Sequence, residues 1–283
     1  MNDSRVSNLI GVFDSGVGGL SILREIHRQL PGADLLYIAD QAHVPYGARS
    51  LAQVRGFSEA ITRFLLSQGA GLIVVACNTA SAAALHTLRQ SFPEVPFVGM
   101  EPAVKPAAET TRTGKVGVLA TPATFQGALY ASVVERFGGG VTLLQDTCPG
   151  LVGQIEAGQL NGLETRRILE KALAPMLAAG IDTIVLGCTH YPFAASLIGE
   201  LAGPGVRIID PSPAVARQTG RMLAVNSSGS SIDAGESAMV QIYTTASLQQ
   251  LHAILPVFWP GPAATGELRW RGEALEIETT ARA

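Results

Sequence analysis

Short apolar runs alternate along the chain with longer segments whose apolar residues recur every three or four positions. The runs are Gly11-Val12-Phe13, Leu35-Leu36-Tyr37-Ile38-Ala39, Leu72-Ile73-Val74-Val75-Ala76, Val116-Gly117-Val118-Leu119 and Ile184-Val185-Leu186-Gly187. Apolar runs of about four to eight residues predict strands buried on both faces, as in parallel sheets. Leu20, Leu23, Ile26 and Leu30 share one helical face before Pro31-Gly32 stops the helix. Strand and helix in alternation predict an α/β fold with mainly parallel sheets flanked by helices.

The pattern also repeats. Gly11 and Gly117 stand 106 residues apart, as do Asp40 and Asp146. Gly69 and Gly180, Cys77 and Cys188, and Pro102-Ala103-Val104 and Pro213-Ala214-Val215 are each offset by 111. Any two α/β units share glycine-strand-glycine patterns, but five matched anchors in one order, one of them the cysteine pair, favour a duplicated unit. The expectation is two pseudo-symmetric domains facing each other. Past Ala224 the pattern changes. Asn226 to Ser237 is Ser/Gly-rich and reads as an exposed loop. Val240-Gln241-Ile242-Tyr243 alternates like a strand, Ser247 to Leu255 reads as a helix, and Leu268 to Ile277 as a short strand pair. No chemistry is evident in this tail.

Composition narrows the class. Of 283 residues, 47% are hydrophobic and 15% charged, which fits a folded soluble enzyme and excludes a disordered chain. The net charge of −3 brings no basic excess or cluster, so neither nucleic acid nor an anionic membrane is an expected partner. Met1 to Asn8 is polar, without the apolar core of a secretory signal. The most apolar window, Leu72 to Leu85, is interrupted by Asn78, Thr79 and Ser81 and is too short to span a membrane. A cytoplasmic protein is expected. Three cysteines, Cys77, Cys148 and Cys188, are too few and too far apart for a disulfide framework or a zinc site.

Cys77 and Cys188 each follow a predicted buried strand, and ligands of α/β sheets gather beyond such strand ends. A helix N-terminus there is expected to lower a thiol's pKa. Two thiols on opposite sides of a substrate suit inversion of a carbon centre, which needs a base on one face and an acid on the other. Either cysteine alone reads equally as a buried small hydrophobe; their matched positions favour chemistry. Asp14-Ser15-Gly16-Val17-Gly18-Gly19 joins the first strand to the first helix. It lacks the third glycine of a dinucleotide loop and the Gly-Lys-Ser/Thr of a phosphate loop. Its amides still suit a carboxylate, and Asp14 suits a substrate ammonium or a thiol. Pro45-Tyr46-Gly47 could position a polar ligand, or Tyr46 could cap the core. Thr121 and Thr124 could bind a carboxylate or cap a helix. His190, two residues past Cys188, could relay a proton. By composition alone Glu156 is a surface acid.

Asp14-Ser-Gly-Val-Gly-Gly, Val44-Pro-Tyr-Gly, Ala76-Cys-Asn-Thr-Ala and Gly187-Cys-Thr-His-Tyr-Pro together resemble the glutamate racemases of the aspartate/glutamate racemase superfamily. The resemblance covers residues 9 to 224, with Tyr243-Thr-Thr in the tail also similar. It implies two flavodoxin-like domains, a site in the cleft between them, and neither pyridoxal nor a metal. Residues 1–99 plus 212–283 would form one domain and 100–211 the other. The implied substrate is L- or D-glutamate, with D-glutamate supplied to peptidoglycan. Cys77 would act on D-glutamate and Cys188 on L-glutamate, assisted by Asp14, Glu156 and His190. Asp14, Ser15, Pro45, Tyr46, Gly47, Asn78, Thr79, Thr121, Thr124, Thr189 and His190 would bind substrate. His43 stands where arginine is frequent. The long N-terminal extension that accompanies activation by a cell-wall precursor is missing from this sequence. An aspartate racemase of the same superfamily, a non-catalytic flavodoxin-like binding module and a homodimer all remain open.

Overall fold

The computed structural model describes residues 9–226 and 238–278. The polar start, and all of the Ser/Gly-rich stretch but its first residue, lie outside the described residues. The first half runs β1 (Leu9–Asp14), α1 (Leu20–Gln29), β2 (Asp34–Ala39), α2 (Leu51–Ser67), β3 (Leu72–Val75), α3 (Asn78–Ser91) and β4 (Phe97–Val98). After α4 (Val104–Thr110) come β5 (Lys115–Ala120), α5 (Pro122–Gln126), α6 (Ala128–Phe137) and β6 (Thr142–Asp146). The second half continues with α7 (Leu151–Glu156), α8 (Leu163–Ala178), β7 (Thr183–Gly187), α9 (Ala195–Ala202) and β8 (Arg207–Ile209). The tail supplies α10 (Ser212–Asn226), β9 (Val240–Thr244), α11 (Leu248–Phe258), β10 (Ala264–Arg271) and β11 (Ala274–Ile277).

Two sheets form, ordered β11-β10-β9-β2-β1-β3-β4 and β6-β5-β7-β8. All neighbours are parallel except β10 and β11. The core order of the first sheet, β2-β1-β3-β4, is that of the second. The repeat extends to packing. A Cβ on Gly11 would lie 2.9–3.1 Å from Ile73, Ala70 and Leu65; on Gly117 it would lie 2.9–3.6 Å from Met176, Ile181 and Ile184. Leu65, Ala70 and Ile73 precede Met176, Ile181 and Ile184 by the same 111 residues as Cys77 precedes Cys188. Glycine at these points lets a helix end sit directly on the central strand. Gly69 and Gly180, with φ of +89° and +84°, end α2 and α8 in the left-handed conformation that glycine adopts without strain. Each thereby sets where its cysteine-bearing strand begins.

The halves share one apolar cluster, which runs from Ile10, Leu20 and Leu35 to Leu151, Leu173 and Leu197. α1 also packs on α10, so the tail returns to the first sheet. Three strands escaped the sequence pattern for physical reasons. β4 and β8 have two and three residues, and β6 is a half-exposed edge strand ending in Gln145 and Asp146. β10 starts four residues earlier than the pattern predicts, because Ala264–Glu267 pairs with β9 rather than with β11.

Asp182 fixes the entrance to β7. Its carboxylate accepts from Thr111 Oγ1 at 2.6 Å, the Arg112 and Thr113 amides at 2.6 and 3.0 Å, and Thr183 Oγ1 at 3.0 Å. Burial disfavours its charge, but these donors outweigh burial and hold the pKa well below the ordinary carboxylate value. The stabilisation is therefore complete above the unfolded-state pKa of about 3.9 and is lost as pH falls toward the folded value. Asp182→Asn is expected to cost about 1.5–3 kcal/mol at pH 7. Urea denaturation at pH 7 and pH 3 checks this: the gap to the parent should narrow at the lower pH.

Candidate active site

Each cysteine sits where its third strand ends. Cys77 caps α3, its Sγ accepting from the Ala80 amide at 3.4 Å. Cys188 directly follows β7 and leads into a short 3-10 turn, Tyr191–Ala194, rather than into an α-helix. Strands of matching order thus deliver both thiols to a single cavity. Ser15, Asn78, Thr79, Thr189 and His190 line it beside them, with Pro45, Tyr46 and Gly47 on one side and Thr121 and Thr124 on another. Val152 and Gly187 complete the wall. The space enclosed is about 20 Å³, little more than a water molecule needs.

The glycine-rich loop explains its own composition. A Cβ on Gly16 would fall 1.9 Å from Glu156 Oε1, and one on Gly18 2.4 Å from His190 Nδ1. The Val17 amide donates to Glu156 Oε1 at 2.8 Å, and Ser21 Oγ donates to the Thr189 carbonyl at 3.0 Å. Asp14, fully buried, accepts on Oδ2 from the Gly19 amide at 2.7 Å and from Thr189 Oγ1 at 3.1 Å. Backbone of one half therefore touches side chains of the other. Asp14 and Glu156 do not line the cavity. They stand behind Cys77 and His190 respectively.

The polar lining is largely satisfied. Thr79 and Thr121 hydroxyls are 2.9 Å apart, and those of Thr121 and Thr124 3.0 Å. Thr121 also caps α5, as the capping reading expects, while its side chain lines the cavity. Asn78 is the exception. It is 3% exposed, and neither Nδ2 nor Oδ1 has a hydrogen-bond partner. Buried amides are almost always paired, and an orphan at a cavity wall marks a place for a polar ligand.

Protons are distributed unequally. Burial, reinforced by the Asp14 carboxylate, pushes the Cys77 pKa well above the ordinary thiol value despite the Ala80 amide. The expected thiol-lowering effect of the helix N-terminus is present at Cys77 but overruled by burial. Burial also raises Asp14, against the opposing charge of His190 and a bond with Cys77. At His190 burial works against a charged ring. Its contacts with Cys188 Sγ at 3.7 Å and Glu156 Oε1 at 2.5 Å outweigh that and raise its pKa well above the ordinary histidine value. One side of the cavity thus holds a neutral thiol, the other a cationic ring between sulfur and carboxylate.

The family described as Asp/Glu/Hydantoin racemase matches residues 10–219. The chain belongs to that racemase family. A glutamate racemase from Pseudomonas aeruginosa is 50% identical over 262 residues, 93% of this chain and 98% of that protein. One from Roseiflexus is 53% identical over 214 residues, 76% and 79% of the two chains. Among solved structures, Escherichia coli glutamate racemase in complex with L-glutamate and the activator UDP-MurNAc-ala superposes with a TM-score of 0.82. That chain is 31% identical, with 96% of this chain and 100% of that one covered. The protein is thus an isomerase of the racemase class with the family's two-domain α/β fold. Among the described residues no helix is long and apolar enough to cross a membrane.

Two supporting residues of the racemase carry no motif signal. Gln41 donates from Nε2 to Glu156 Oε2 at 2.9 Å while its Oε1 accepts from Thr244 at 2.8 Å. Tyr37 donates to the Gly16 carbonyl at 2.6 Å. Gln41 could have been noticed one residue beyond Asp40; Tyr37, inside an apolar run, reads only as core. The loop geometry predicts that Gly18→Ala lowers racemase activity by about 100-fold, the order expected when a catalytic group is displaced by about 1 Å. Thermal unfolding and turnover measured together check it. Gly56→Ala, where a Cβ meets nothing within 4 Å, should leave turnover unchanged.

Proposed function

We propose that the protein interconverts L- and D-glutamate by transferring protons between the α-carbon and two thiols, without pyridoxal. The observation that carries this is the convergence of Cys77 and Cys188, from equivalent strand ends, on one cavity. The names of the relatives and the L-glutamate in the Escherichia coli complex favour glutamate over other amino acids. Supply of D-glutamate to peptidoglycan in the cytoplasm is the role proposed with it. The proposed domain division is 1–99 plus 212–283 against 100–211.

In the L-to-D direction Cys188, as thiolate beside protonated His190, takes the α-proton. The carbon–hydrogen bond breaks and a sulfur–hydrogen bond forms. Cys77, held as a thiol by burial, gives its proton to the opposite face. The enzyme is left with Cys77 as thiolate and Cys188 as thiol, the state that accepts D-glutamate. Glu156 orients His190, and Asp14 assists Cys77. Carbanionic charge spreads onto the substrate carboxylate, where preorganised donors are most effective. Asn78, Thr79 and Thr189 are the donors proposed there, and the free amide of Asn78 supports this most directly. Ser15, Pro45-Tyr46-Gly47, Thr121 and Thr124 are proposed to hold the remaining polar groups of the substrate.

The test is α-deuterium incorporation from heavy water into each enantiomer, using purified protein without added cofactor. Cys77→Ser and Cys188→Ser should each reduce racemisation by at least about 100-fold, within the range of general acid–base contributions. Each should retain exchange into one enantiomer only. Near-normal racemisation by either variant would overturn the two-thiol mechanism.

A further inference from the structure

We propose that Trp270, in the C-terminal tail, is a positioning residue for the substrate pocket, acting through Asp40 on Tyr46. The inference rests on the glutamate racemase reading. It assigns a role to a residue far outside the 10–219 family match, in a tail whose sequence shows no chemistry.

Asp40 is a fully buried carboxylate at the end of β2. Its Oδ1 accepts from Trp270 Nε1 at 2.8 Å and from Thr245 Oγ1 at 2.7 Å. Its Oδ2 accepts from the Tyr46 hydroxyl at 2.7 Å and lies 2.9 Å from His43 Nδ1. A buried carboxylate is costly unless its oxygens are satisfied, so the donors fix its orientation. Tyr46 is then held twice, by Asp40 at its hydroxyl and by Phe57 against its ring, with centroids 5.7 Å apart. Trp270 acts on both supports, since its indole edge also meets Phe57 at 5.6 Å and His43 at 4.9 Å.

The next residue leaves no slack. A Cβ on Gly47 would lie 2.9 Å from Thr121 Cβ, so Tyr46 cannot move without disturbing the contact between the two walls of the cavity. Removing the indole N–H leaves Oδ1 with Thr245 Oγ1 and the longer 3.2 Å contact to His43 Nδ1, and lets the carboxylate turn, carrying the tyrosine hydroxyl with it. The thiols are held separately, beyond the ends of β3 and β7, and keep their geometry. Substrate and transition state should therefore lose the same binding energy, which raises KM and leaves kcat unchanged.

Trp270→Phe keeps a ring on Phe57 and removes the donor. Steady-state kinetics in both directions should show KM raised about fivefold for each enantiomer, with kcat within twofold. Tyr46→Phe should raise KM similarly, and the double variant should be no worse than Tyr46→Phe alone, because both changes cut one pathway. If Trp270→Phe folds poorly, Thr245→Val removes the other donor to the same oxygen and should give the same split. An unchanged KM in Trp270→Phe, a fall in kcat alone, or additive effects in the double variant would overturn the proposal. Racemisation of glutamate by the parent protein in the same assay tests the underlying reading separately. Only the ratios of variant to parent test the role of Trp270.

Discussion

Close contact between the main chain of one half and charged side chains of the other is the constraint around which the molecule is organised. Glu156 reaches from the end of α7 to the Val17 amide, and His190 lies over Gly18. Neither approach tolerates a Cβ, so Gly16 and Gly18 serve the partner half, whereas Gly19 makes room for Asp14 and Tyr37 of its own half. The continuous apolar cluster behind them resists separation of the halves there, since burial of that surface holds both sheets in place. Cavity-lining groups from both sheets are thereby kept in register through the main chain of the glycine-rich loop.

Among the described residues the cavity lining contains no lysine or arginine. Hydroxyls, amides, thiols and the His190 ring line it, and the carboxylates of Asp14 and Glu156 are held one layer back. Where side chains are so deeply buried, each charge acts strongly on its neighbour. That is how two identical side chains come to differ: Asp14 and burial keep a proton on Cys77, whereas Cys188 faces a cationic ring. The symmetry of the fold brings the thiols together, and the groups behind them differ: Asp14 at Cys77, His190 at Cys188.

Much of this was legible in the residues. The five strands with long apolar runs, the duplication and the strand-end cysteines follow from patterning, because fully buried parallel strands and glycine-limited packing leave strong signals. Strands β4, β6 and β8 left none, being too short or too exposed to need an apolar run. The motif residues were visible, but the surroundings of Glu156, whose assisting role came only from the resemblance, and those of Asp40 were not. A buried acid and a surface acid look alike until the donors around them, drawn from the Val17 amide, Gln41, Thr245 and Trp270, are brought together by tertiary folding. Cys77 shows the opposite failure: its helix cap was correctly anticipated, yet solvent exclusion outweighs the local dipole.

Asn78 carries a further consequence. No protein group hydrogen-bonds either end of its amide, and a buried polar group so left costs about 1–3 kcal/mol. Any molecule that meets those two atoms refunds that loss on top of its own contacts. Occupancy and foldedness are therefore linked: the chain gives up some robustness at rest in order to be sturdier when in use.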